Sequence, residues 1–136
     1  MRIAAVMVAA GLFLLAPGPS ESQMDLSATL VGTWEGEFRP LAGGYQSRVL
    51  LIESVRQQDS GWAVTAKFGP SEQSLFPVNV ALEVSGAEVR VRFRAGAGGI
   101  SEANLTLRGK ERLVGTFTIL TGRGLNEVRM TLSNAK

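Results

Sequence analysis

The stretch Val78–Phe93, VNVALEVSGAEVRVRF, decides the fold of this chain. Valine, leucine and phenylalanine occupy every second position on both sides of the dipeptide Gly86-Ala87. A period of two places alternate side chains on opposite faces of a β-strand, and a two-residue turn with glycine joins antiparallel neighbours. The stretch therefore predicts a β-hairpin with one apolar face turned towards a core.

Six further segments share this strand character, and turn-forming residues separate them. The segments are Thr33–Arg39, Gln46–Arg56, Trp62–Phe68, Ser101–Arg108, Arg112–Leu120 and Leu125–Ser133. The predicted turns are Ala42–Gly44, Asp59–Gly61, Gly69-Pro70, Gly96–Gly99, Gly109-Lys110 and Gly122–Gly124. Only Met24–Leu30 is helix-like. Eight strands with short connections predict an all-β fold, an eight-stranded antiparallel up-and-down barrel, with a two-sheet β-sandwich as the alternative.

Composition excludes several classes of function. The chain has 136 residues, enough for one domain, and it contains no Cys and no His. It therefore has no thiolate zinc site, no disulfide framework and no Ser-His-Asp relay. The net charge of +2 does not by itself indicate nucleic acid. We expect no catalytic residues, no metal site and no cofactor.

The first 22 residues have the character of a secretory signal peptide. Arg2 precedes the apolar run Ile3–Ala16, and this run is shorter than the roughly 20 residues that a membrane-spanning helix needs. Ser20 and Ser22 supply small residues for cleavage before Gln23. The sequence predicts a signal peptide (1–22), a lead-in (23–30) and one barrel domain (31–136). It predicts a bacterial protein that is exported to the periplasm or secreted, with no membrane span after cleavage.

Gly32-Thr33-Trp34, together with Leu113–Phe117, resembles the calycin-type small barrels, which include lipocalins and avidins. In lipocalins this Trp closes one end of the barrel and a late Arg packs over it. The resemblance implies that Trp34 closes the barrel and that Arg129, by its position, is the barrel-end Arg. The chain has only two Trp, unlike the avidins, so the resemblance does not extend to biotin binding.

A nearer resemblance covers almost the whole chain after residue 30. It is to the small barrel domain that accompanies exported bacterial α/β-hydrolases, and it implies a non-catalytic module. The matching residues are Leu30-x-Gly32-x-Trp34-x-Gly36, Gly61-Trp62, Phe76-Pro77-Val78, Gly115-Thr116-Phe117 and Val128-x-Met130-x-Leu132.

Large apolar side chains on the predicted inner face are the candidates for ligand binding. They either line a pocket or fill the core, because eight strands enclose packed side chains or one small ligand. The candidates are Trp34, Phe38, Trp62, Phe93 and Phe117. Gly36 and Gly115 interrupt the same apolar faces, and they either leave room for a ligand or let a bulky side chain or a bent strand fit.

Arg90, Arg92 and Arg94 form a basic stripe along one strand face. Alternate residues of a strand stand roughly 7 Å apart, a spacing suited to a polyanion or an acidic partner. The alternative is a solvated outer face, partly neutralised by Glu83 and Glu88. Few aromatic residues lie between the arginines, so we do not expect nucleic acid to bind.

Three carboxylates are candidates for a catalytic or buried group. Glu35 and Glu37 share a face opposite Trp34 and Phe38, so we expect them outside, where no burial raises the pKa of an acid catalyst. Glu53 lies inside if Val49 and Leu51 point inward, and outside if the alternate residues do. The sequence leaves this register open.

Together these features predict an exported, non-catalytic β-barrel module, which binds a partner protein or an envelope polymer. A first alternative is a carrier of a small apolar ligand inside the barrel. A second alternative is an inhibitor of an exported hydrolase.

Overall fold

The computed structural model describes residues 26–39, 44–96, 101–121 and 124–135. The predicted signal peptide (1–22), and residues 23–25 of the predicted lead-in, lie outside the described residues. The described strands are β1 (Gly32–Phe38), β2 (Gln46–Gln58), β3 (Gly61–Ser71), β4 (Ser74–Ser85), β5 (Glu88–Ala95), β6 (Ser101–Arg108), β7 (Arg112–Thr121) and β8 (Gly124–Asn134).

The eight strands form one closed antiparallel barrel in chain order. Each strand pairs with the next, and β1 closes the ring by pairing with β8, with Trp34 opposite Asn134 and Glu37 opposite Thr131. Closure satisfies both edges of the sheet, which explains how short strands form a stable unit without a second sheet. The predicted up-and-down barrel is confirmed, and the β-sandwich alternative is wrong.

Alternation along the strands turns one apolar face inward and so forms a single core. No polar or charged residue among those described is fully buried. The largest fully buried side chains are Trp34, Phe38, Phe117, Leu30, Leu50, Ile52, Leu105, Leu113, Met130, Leu132 and Val91. At about 25 cal/mol for each Å² of apolar surface removed from water, this burial is the main stabilising term.

A short helical segment, residues 26–30, covers the end of the barrel at which β1 begins. Leu30 is 1% exposed, and its carbonyl oxygen accepts a hydrogen bond of 2.8 Å from Nε1 of Trp34. The amide of Val31 also donates to the carbonyl of Ser27 at 3.0 Å. We call this the closed end. Within the described residues, no helix is long and apolar enough to cross a membrane.

The predicted hairpin is present, with Ser85 opposite Glu88 and with Gly86 at φ 62°. The prediction of a turn at Gly69-Pro70 is wrong, because both residues belong to β3 and β4 begins at Ser74. Proline is tolerated there because the register of the β3–β4 pairing shifts between Phe68 and Ser71. The hydrogen bonds between the two strands therefore do not require the backbone N–H that Pro70 lacks.

The register of β2 is settled by its burial pattern. Leu50 and Ile52 are 0% and 1% exposed and point inward. Glu53 falls at a register shift between Ile52 and Ser54 and is exposed, with its Oε2 3.9 Å from Nζ of Lys67. Glu53 is therefore a surface residue, and an exposed pair of this kind contributes roughly 0–1 kcal/mol.

Candidate ligand-binding site

A cavity of about 510 Å³ lies at the end of the barrel where β1 finishes and β2 begins. We call this the open end. Lining residues include Arg48, Phe68, Pro77, Val78, Arg94 and Phe117. Phe76 also lines the cavity and is 66% exposed, so this side of the cavity meets solvent. The volume falls within the roughly 300–1,000 Å³ of small-molecule sites.

Four phenylalanines form a continuous aromatic layer inside the barrel. Phe117 contacts Phe38 and Phe68 edge to face, with ring centroids 5.2 and 5.7 Å apart, and Phe68 contacts Phe93 at 4.8 Å. Edge-to-face contacts at these distances are favourable, and each ring is at most 4% exposed. Two of the rings line the cavity, so the layer gives that cavity an apolar side.

Arg48 is a charged residue on the inner face of β2. It lies opposite Gly36 of β1 and two residues before Leu50, which is buried in the core. Its guanidinium carbon lies 4.8 Å from the ring centroid of Phe38 and 5.9 Å from that of Phe117. These distances correspond to cation–π contacts, which hold the guanidinium against the aromatic layer.

The polar contacts of Arg48 are few. Nη1 donates to the carbonyl oxygen of Ser47 at 2.7 Å, and Nη2 donates to Oε1 of Gln46 at 3.3 Å. Partial burial removes water and lowers the pKa of the Arg48 guanidinium, which nevertheless stays protonated at neutral pH. Among the described residues, no carboxylate oxygen lies within 4.0 Å of it. A half-buried cation without an acidic partner therefore borders the cavity.

Arg94 reaches the same cavity through a break in strand pairing. The pairing of β4 with β5 begins at Val80 and Phe93, and within the described residues Ser74–Asn79 pair only with β3. Arg94, one residue beyond the last pair, consequently lines both the cavity and an outer groove that includes Glu102. The cavity thus has a second cation at its side.

The five predicted ligand-binding residues do not lie together. Phe117 lines the cavity, and Phe38 and Phe93 belong to the aromatic layer beside it. Trp34 is fully buried at the closed end, and Trp62, opposite Gln57, is half-buried against the core. The three phenylalanines are therefore close to the candidate site, whereas the two tryptophans lie at the other end of the barrel.

The glycines on the inner faces are explained by contacts between strands. A Cβ atom at Gly36 would overlap the carbonyl oxygen of Thr131, and one at Gly115 would overlap that of Asn104. Glycine at these positions therefore lets neighbouring backbones approach closely. Neither glycine is among the cavity-lining residues.

The basic stripe is present on the outer face, but two of its three arginines form ion pairs with carboxylates. Nη2 of Arg92 lies 2.7 Å from Oε2 of Glu83, and Nη2 of Arg90 lies 3.4 Å from Oε1 of Glu88. These contacts satisfy part of the charge that a polyanion would bind.

Arg129 does not pack over Trp34. It is exposed on the outer face of β8, opposite Thr116, between the buried Val128 and Met130. Helical residues 26–30 close the barrel beneath Trp34 instead. Odd and even positions of a strand face opposite ways, so Arg129 could not share the inner face with its neighbours.

The carboxylates of β1 lie outside the cavity. Glu35 and Glu37 are exposed, as expected from their outer face. In the ranges that the structure describes, no group of three or more acidic side chains is arranged to hold a metal ion.

Comparisons with protein-family models, curated protein sequences and solved structures found no match.

Proposed function

We propose that this protein is a non-catalytic binding protein that holds a small, largely apolar molecule in the cavity at the open end. The observation that carries the proposal is the solvent-open cavity of about 510 Å³ bordered by buried aromatic rings. Binding sites for small molecules are typically concave and mostly apolar, with a few placed polar groups. Arg48 and Arg94 supply such polar groups here.

We also propose that the barrel is of the calycin type. The support is local: Gly32-x-Trp34 begins β1, and Trp34 is buried above a helical segment at the closed end. The relation to barrel domains that accompany exported hydrolases, and export itself, stay predictions from the sequence.

Of the functions that the sequence suggested, the proposal favours a carrier of a small apolar ligand inside the barrel. Binding of a partner protein or envelope polymer by the basic stripe is less well supported, because Glu88 and Glu83 already pair with Arg90 and Arg92. Substituting Arg90 and Arg92 together by Ser tests that function and leaves Arg94 in the cavity, with retention on an acidic partner as the measurement. Inhibition of an exported hydrolase is tested by co-purification with such an enzyme.

Binding of a neutral apolar dye, N-phenylnaphthylamine, tests the proposed function. The variant Ala95→Trp fills the cavity from β5, since Ala95 is one of its half-buried lining residues. We expect it to weaken dye binding by about tenfold or more, as expected when an apolar pocket is filled. Ala87→Trp is the matched control, because Ala87 is exposed in the hairpin turn near the closed end.

Dye that fails to bind the folded protein would contradict the proposed function. Equal weakening by both variants would contradict the position of the site. Circular dichroism of each variant establishes that it is folded before binding is measured.

A further inference from the structure

The guanidinium of Arg48 is the feature that points to the chemical class of the ligand. We infer that the cavity at the open end selects an amphipathic molecule with one carboxylate, which Arg48 binds while the apolar chain lies against the aromatic layer. This inference rests on the proposed function and deepens it.

The first support is the hydrogen-bonding capacity that Arg48 has left. A guanidinium has five N–H donors in a planar fork, and the contacts to Ser47 and Gln46 use two of them. A carboxylate accepts two parallel hydrogen bonds from such a fork, which is the chemistry that the remaining donors offer. The ring of Phe38, 4.8 Å from the guanidinium carbon, limits how the fork can turn.

The second support is that no acid of the described ranges pairs with Arg48, although three glutamates line an outer groove that it also borders: Glu35, Glu37 and Glu72. No described carboxylate lies within 4.0 Å of Arg48. Outside the described ranges, the sequence has Asp or Glu only at Glu21 and Asp25. Arg48 is only partly buried, so its charge is open to an anionic ligand, and such a ligand would pair with it.

The third support is the separation of polar and apolar surface within the cavity. Arg48 and Arg94 supply the positive charge, whereas Phe68, Val78 and Phe117 supply apolar contacts. Phe76, 66% exposed, extends the apolar surface towards solvent. A molecule that is charged at one end and apolar along its length matches both parts.

Displacement of N-phenylnaphthylamine by dodecanoate below its micellar concentration, and by dodecanol below its solubility limit, tests the inference. The two competitors share a chain length and differ in charge. We expect dodecanoate to compete about tenfold more strongly, in line with the strength of charge-assisted hydrogen bonds. Dodecyltrimethylammonium, a cation of the same chain length, should compete more weakly than dodecanol.

The variant Arg48→Gln should reduce the preference for dodecanoate to within about twofold of dodecanol, because its amide cannot replace the charged fork. Arg48→Lys should restore part of the preference, since it keeps the charge without the planar fork. Arg56→Gln is the matched control: Arg56 is exposed on the same strand, away from the cavity, and should leave the preference unchanged.

The outcomes separate the two proposals. Equal competition by dodecanoate and dodecanol, or an Arg48→Gln variant that keeps the preference, would overturn this inference while dye binding upheld the proposed function. Failure of the folded protein to bind the dye would overturn the proposed function and, with it, this inference.

Discussion

At the scale of single residues, one hydrogen bond joins the helical segment to the barrel. The indole of Trp34 is fully buried, and its Nε1 donates to Leu30 at 2.8 Å. The indole ring therefore stabilises the fold in two ways: it buries apolar surface, and its N–H provides a hydrogen bond to the carbonyl oxygen of Leu30. Any substitution there affects both terms.

Trp34→Phe should lower the free energy of unfolding by roughly 2–4 kcal/mol, because it leaves a cavity and an unsatisfied carbonyl. Urea denaturation measures the loss. Trp62→Phe is the control and should cost less than half as much, since Trp62 is only half-buried. A loss at position 34 no larger than at position 62 would contradict the role assigned to the buried indole.

Residue-scale prediction from the sequence succeeded where the period of two was clear and failed where it was not. Alternation alone predicts Phe93 and Phe117 on inner faces, and both are buried. Arg48 was missed as a site residue because Val49–Ile52 is apolar on both faces, which hid the register of β2. Counting back from Leu50 by two would have placed Arg48 inside.

At the scale of strands, close backbone approach explains two glycines that sequence reasoning left ambiguous. Gly115 of β7 lies opposite Leu105 of β6, and its missing side chain makes way for the carbonyl oxygen of Asn104. The sequence reveals that a side chain is absent, but not which atom approaches. The identity of the approaching atom follows only from the pairing of the two strands.

Gly115→Ala should lower the free energy of unfolding by about 2 kcal/mol or more, because the added methyl group meets rigid backbone rather than a side chain that can move. Gly61→Ala is the matched control within a strand. A Cβ there meets nothing within 4 Å, so its effect should stay within about 0.5 kcal/mol. Thermal melting compares the two, and equal stability would contradict the packing described.

The β4–β5 hairpin also carries a cross-strand ion pair, Glu83 with Arg92. Both side chains are about half exposed, at 49% and 39%, so solvent screens their attraction. A double-mutant cycle with Glu83→Gln and Arg92→Gln should give a coupling energy of roughly 0.2–1 kcal/mol that decreases with added salt. A coupling energy above about 2 kcal/mol would contradict this account, because it would mean that solvent does not screen the ion pair.

Hairpins were predicted well where turn chemistry was simple. Gly86-Ala87 follows alternating residues and forms the expected turn, whereas Gly69-Pro70 has equally strong turn chemistry and lies inside β3. A register shift in the pairing of β3 with β4 accommodates Pro70. Such a shift depends on the partner strand, which local sequence does not specify.

At the scale of the whole molecule, closure depends on four residue pairs between β1 and β8. All four partners in β8 lie within Thr131–Asn134. Without them the sheet would have two unpaired edges, which are templates for association with other chains. The sequence predicted closure because eight short strands follow one another, but it did not show which residues meet.

Deleting residues 131–136 should therefore abolish the folded monomer and cause aggregation, as observed by size-exclusion chromatography and circular dichroism. Deleting residue 136 alone is the control, because it leaves all four pairs in place. A folded monomer of the longer deletion would show that the pairing of β1 with β8 is dispensable.

The most direct test of the ligand-binding account is a nuclear magnetic resonance titration of isotope-labelled protein with N-phenylnaphthylamine. The account predicts shifts in the amides of cavity-lining residues such as Phe68, Val78 and Ala95, and little change in the indole N–H of Trp34 at the closed end. Shifts confined to Arg90 and Arg92 on the outer face, or centred on the Trp34 indole, would contradict it.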